Sequence, residues 1–179
     1  MSSPLPDPCD NVRKTLRLDE AVARMCAAVR PVSGTETVAV RDALGRVLDE
    51  DVVARVNVPA HTNSAMDGYA LAGDTLPANG DEEREYKVIG TAFAGHPFAT
   101  PPAAGECVRI MTGAPLPPAT DTVVMQEQVD RHDDLARIGA GHRAGQNVRR
   151  AGEDLTEGAV AVSAGTPLEP AHQGVIASV

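Results

Sequence analysis

Apolar residues first recur at helical spacing near the start of the chain. Leu18, Val22, Met25, Cys26 and Val29 share one face, with Asp19, Glu20 and Arg24 outside it. That pattern predicts an amphipathic helix over Leu16–Val29, ended by Pro31. The spacing then shortens. Thr35–Val40 alternates polar and apolar residues and is predicted as a short strand. Arg41–Leu44 is predicted as one helical turn stopped by Gly45, and Val47–Val53 as extended chain interrupted by Asp49-Glu50-Asp51. Tyr69–Ala72 reads as a strand. Asp74–Glu85 reads as an exposed polar loop with Asp81, Glu82 and Glu83 at a solvated tip. Tyr86–Ala92, Glu106–Met111 and Asp121–Met125 are strand candidates, separated by His96-Pro97, Pro101-Pro102 and Pro115–Pro118. Such spacing suggests a compact barrel or sandwich. A hairpin through Gln128–Ile138, turning near Asp133-Asp134, a short strand Ala159–Val162 and a closing helix Pro170–Val179 complete the pattern. Met1–Lys14 is predicted to be a loose, proline-rich tail.

Three stretches carry candidate chemistry. In Val56–Gly73, Asp67 stands before Gly68 at the mouth of a strand, after the turn formers Thr62, Asn63 and Ser64. This fits an acid facing a cleft, although spacing alone favours an ordinary Asp-Gly turn. In Arg109–Pro115, a strand runs into Thr112-Gly113. Backbone N–H groups there suit an anion-binding concavity, and the Thr112 hydroxyl offers a donor or an oxygen for hydrated Mg2+; a plain strand-end turn is the simpler reading. In Gly145–Asp154, Arg149 and Arg150 suit a phosphate-bearing ligand, or a salt-bridge cluster with Glu153 and Asp154. Glu127 ends the apolar strand Val123–Met125 as a functional acid or a solvated strand end. His61, His96, His132, His142 and His172 show no metal-ligand spacing, and no Ser/His/Asp order, phosphate-binding loop or dinucleotide fingerprint is present.

Composition narrows the classes. The 179 residues allow one domain or two small ones, and 42% hydrophobic residues suffice for a core. With no Trp, two Tyr and two Phe, that core falls to aliphatic side chains. A formal charge of −9 argues against a general nucleic-acid binder. Cys9, Cys26 and Cys107 form no Cys-x-x-Cys pair, which points to a reducing compartment. The N-terminus has no signal-peptide core, and no apolar run is long enough to span a bilayer. A soluble, cytoplasmic protein without membrane or nucleic-acid partners is expected.

Taken together, NSAMDGYA (Asn63–Ala70), RIMTGAPLP (Arg109–Pro117), VVMQEQ (Val123–Gln128) and GQNVRRAGEDL (Gly145–Leu155) resemble the molybdopterin molybdenumtransferase (MoeA) family, which includes the E-domain of gephyrin. The likeness runs from about Leu16 to Val179. It implies an α+β fold: an elongated domain from residues 15–57 and 146–179, with a β-rich, barrel-like domain, 58–145, inserted. The family's third and fourth domains are expected to be absent, so that the chain looks like an N-terminal portion. The resemblance further implies insertion of molybdenum from molybdate into adenylylated molybdopterin with release of AMP, assisted by Mg2+. It implies a homodimer and a molybdopterin adenylyltransferase as partner. It maps Asp67 and Thr112 as catalytic cleft residues, Asp67 also as metal ligand, and Gly113, Glu127, Arg149 and Arg150 as substrate-binding. A non-catalytic dimerisation or scaffolding module of the same family, and a small anion-binding protein unrelated to molybdenum, are the alternatives.

Overall fold

The computed structural model describes residues 16–78, 80 and 82–179. The expected tail Met1–Lys14 and Asp81 of the acidic tip lie outside them. The chain divides into two compact units, Met1–Thr37 and Val38–Val179. In the first, α1 is Leu18–Ala28, one or two residues shorter at each end than its pattern suggested. Glu20 and Arg24 form an i,i+4 ion pair at 2.7 Å along it. No α1 residue is buried, and Leu18, Val22 and Met25 are 82%, 46% and 66% exposed, so its apolar face is uncovered. The strand expected at Thr35–Val40 does not form. Alternation alone supplies no partner for a ladder, and the segment leads instead into a 3-10 turn at Val40–Asp42.

The second unit holds ten strands among the described residues. They are β1 (Val52–Val53), β2 (Asn63–Ser64), β3 (Gly68–Leu71), β4 (Glu83–Ala92), β5 (Glu106–Ile110), β6 (Thr122–Met125), β7 (Val129–His132), β8 (Leu135–Gly139), β9 (Val148–Arg149) and β10 (Val160–Val162). Six form one sheet in the order β6-β3-β5-β4-β8-β7. All its neighbours are antiparallel except β4 and β5. That parallel pair needs a crossover, which the proline-punctuated stretch from Phe93 to Gly105 supplies. β3 is buried at every position, the continuous apolar run expected of a strand covered on both faces. The β7–β8 hairpin turns at Asp133, in the left-handed conformation with φ 51°. β4 begins within the predicted Asp74–Glu85 loop. Gly73–Thr75 is a 3-10 turn, and Leu76 is buried in the same apolar cluster as Tyr86, so the loop is only partly exposed.

Two apolar clusters lie on the sheet. One joins Tyr69, Leu71, Tyr86, Cys107, Val124, Ala136 and Ile138; the other joins Ala70, Ala92, Val108, Ile110, Ala114 and Val123. Burial pushes the Cys107 thiol up to about 12, leaving it a neutral core group. A third cluster, Ala43, Val162 and Leu168 with Val38, Leu48, Val52 and Ile176, is built only from the two ends of this unit. There β1 pairs with β10, and α2 (Pro170–Ser178) packs with its N-terminus closed by a reciprocal Glu169–His172 capping box. Among the described residues no helix is long and apolar enough to cross a membrane.

Candidate functional site

The segment Thr62–Asp67 sits between two chain pieces far away in sequence. On one side the Ser64 N–H donates to the Ala114 carbonyl (3.0 Å), and the Gly113 N–H donates to the Ser64 carbonyl (2.8 Å). On the other, β2 pairs with β9, matching Asn63 with Arg149 and Ser64 with Val148, and the Ala65 N–H donates to the Asn147 carbonyl (2.9 Å). Asn147 takes φ 56°, a conformation asparagine tolerates well. Ser64 is 1% exposed; its hydroxyl donates to the Met66 carbonyl (2.5 Å) and fixes the bend that delivers Asp67. Thus NSAMDG, MTGAP and QNVRR converge on one strip.

Asp67 and Thr112 meet directly. The Thr112 N–H and hydroxyl both donate to Asp67 Oδ1, each at 2.7 Å. The backbone bond first, then the hydroxyl bond, hold the carboxyl below the usual carboxylate range, with the Arg109 charge adding to them and desolvation opposing. The residue is only half-exposed, but its other oxygen has no hydrogen-bond partner among the described residues. Its backbone carbonyl accepts the Gln126 N–H (3.0 Å), which brings the start of the Gln126–Gln128 3-10 turn to the same place. Glu127 lies in that turn, exposed, just beyond the end of β6.

The concavity of N–H groups expected at Thr112-Gly113 is not formed. Thr112 N–H is spent on Asp67, Gly113 N–H on Ser64, and Ala114 N–H on Met111 (2.9 Å). Gly113 is instead required by its conformation, φ 80°. The two arginines also divide. Arg149 is tied to Glu153 (2.7 Å) and to Asp154, and Glu153 is held below its ordinary range by Arg149 first and then by the Arg150 N–H. The Arg150 side chain has no carboxylate partner among the described residues. The salt-bridge reading thus holds for Arg149, the last residue of β9, and leaves Arg150, just beyond it, as the available guanidinium.

Ser64 acts as the turn former its type suggested, its hydroxyl bonding the nearby backbone, whereas sequence reasoning assigned no role to Arg109 or Gln126. Arg109 was marked by being the one charged residue between Val108 and Ile110, both fully buried on β5. Among the described residues no group of three or more His, Cys, Asp or Glu side chains could hold a metal ion by itself. Asp67 with the Thr112 oxygen fits Mg2+ only as an ion that keeps most of its ligands as water or phosphate oxygens, its common mode of binding.

The chain matches the MoeA N-terminal region (domain I and II) over residues 16–179. It is 37% identical over 164 residues to the molybdopterin molybdenumtransferase of Haemophilus influenzae, covering 91% of this chain and 40% of that protein. The Bacillus subtilis molybdopterin molybdenumtransferase is 33% identical over 171 residues, covering 93% and 40%. The crystal structure of the molybdopterin biosynthesis moeA protein from Pyrococcus horikoshii OT3 superposes with a TM-score of 0.82 at 32% identity, over 89% of this chain and 42% of that one. The chain therefore spans about 40% of the length of the curated relatives it matches. With three chain pieces converging on an ionised Asp67, and with the matched region running unbroken from residue 16 to residue 179, the chain belongs to the MoeA family, within its N-terminal region.

Proposed function

We propose that this chain forms one wall of the cleft in which molybdenum, delivered as molybdate, is inserted into adenylylated molybdopterin with release of AMP. The observation that carries the reading is the direct pairing of Asp67 with Thr112, two residues 45 positions apart in sequence, at the mouth of β3. Asp67 is too acidic to act as a strong base; it orients a water or a hydrated cation with its free oxygen. Thr112 sets the direction of that oxygen. Arg150 supplies positive charge for molybdate or a pterin phosphate, and Glu127 orders the rim. Bound Mg2+ would neutralise charge on the adenylate phosphate.

The two-segment architecture belongs to the same proposal. Residues 15–57 and 146–179 form the elongated domain, and 58–145 the inserted barrel-like one; the third apolar cluster, drawn only from the ends of the unit, supports it. We further propose a cytoplasmic homodimer, supported by the uncovered apolar face of α1, served by a molybdopterin adenylyltransferase that makes its substrate. Full turnover is assigned to the full length of the relatives.

The test is a molybdenum-insertion assay on adenylylated molybdopterin. This chain alone, a complete homologue, and that homologue carrying the equivalent of Asp67→Asn are compared. The chain alone is expected to give little product, and the substitution to lower turnover by roughly a hundredfold. Unchanged turnover in the substituted enzyme would remove Asp67 from the reaction.

A further inference from the structure

Arg109 connects groups that the site otherwise holds separately. It faces Tyr69 across the β3–β5 ladder, and its guanidinium carbon lies 5.0 Å from the centre of that ring. One terminal nitrogen donates to the Gly68 carbonyl (3.3 Å), next to Asp67; the other donates to the Gln126 side-chain oxygen. The Gln126 amide nitrogen in turn donates to Glu127 Oε1 (3.1 Å). The bond from Arg109 fixes which end of the Gln126 amide faces which neighbour. No carboxylate pairs with Arg109 among the described residues, although acidic residues outnumber basic ones by 25 to 16.

We infer that Arg109 is a positioning residue for the cleft: through Gln126 it aims the Glu127 carboxylate, and through the Gly68 carbonyl it anchors the backbone beside Asp67. The inference rests on the reading of Asp67 and Glu127 as site residues. A planar guanidinium stacked on a ring and forked between two oxygens has one orientation, which a lysine ammonium cannot reproduce. Arg109 thus places two carboxylates from different chain segments relative to each other.

The experiment compares the chain with Arg109→Met, Arg109→Lys and Gln126→Leu, by NMR of the Gln126 side-chain amide, the Tyr69 ring and the Glu127 carboxyl carbon at one neutral pH. Arg109→Met should move the Gln126 amide resonances to those of a solvated, unanchored amide and shift the Tyr69 ring signals. Arg109→Lys should not restore the Gln126 resonances. Gln126→Leu should alter the Glu127 signal and leave the Tyr69 ring signals in place. Circular dichroism identifies any variant that fails to fold, and Arg109→Lys then carries the comparison. A folded Arg109→Met with unaltered Gln126 and Glu127 signals would overturn the inference. In the insertion assay, the equivalent of Arg109→Lys in a complete homologue should lower turnover by about tenfold or more with little change in KM. An insertion assay in which Asp67→Asn has no effect would count against the proposed function and leave the NMR result standing.

Discussion

Asp67 is kept ionised by hydrogen bonds from one threonine rather than by a salt bridge. Because its folded-state pKa is lowered, its contribution to stability is complete above the unfolded value and is lost as pH falls through the folded one. Glu153 behaves alike through Arg149. Urea midpoints measured downward from about pH 6 should therefore fall in the acid range, and Asp67→Asn should flatten that fall; an unaltered acid limb would contradict the geometry. Both Thr112 donors converge on one oxygen, so any cation at this carboxylate is held through a single atom. At this scale the sequence was informative where chemistry is local. Asp67, Thr112 and Glu127 stood out by type and by motif, and the structure pairs the first two directly. The unformed N–H concavity was not legible, because the partner of the Gly113 N–H is Ser64, a residue remote in the chain.

Elements with local partners were the readable ones. The β7–β8 hairpin, β5, β6 and α2 follow their patterns within a few residues, since turn chemistry and capping act between near neighbours. Thr35–Val40 shows the converse, an alternating pattern with no strand to pair with. The strand pairs that build the site depend on close approach. A Cβ on Gly68 would sit 2.1 Å from the Val124 carbonyl oxygen, which is backbone and cannot swing aside. Gly68→Ala should thus part β3 from β6, cost roughly 3 kcal/mol, and displace Asp67. Chemical denaturation gives the first effect, and loss of the lowered Asp67 titration gives the second.

Over the whole molecule, the least legible features were those joining distant segments: the parallel β4–β5 pair, and β1 and β2 finding β10 and β9. No local period encodes such pairings. The third apolar cluster shows what they are worth. Leu168, 5% exposed, packs among residues from the opposite end of the unit, and Leu168→Ala should destabilise by about 2–4 kcal/mol in a calorimetric or denaturant measurement. A melting curve unmoved by that change would mean the two ends do not share a core. The β2–β9 pair has a separate consequence. All six strands of the large sheet lie between Asn63 and Arg149, and these two residues are ladder partners in a separate two-stranded pair. The stretch that carries the large sheet thus begins and ends at one paired point. An evolving gene could exchange that cassette for a related one with two splices lying side by side, while the frame outside kept its own contacts.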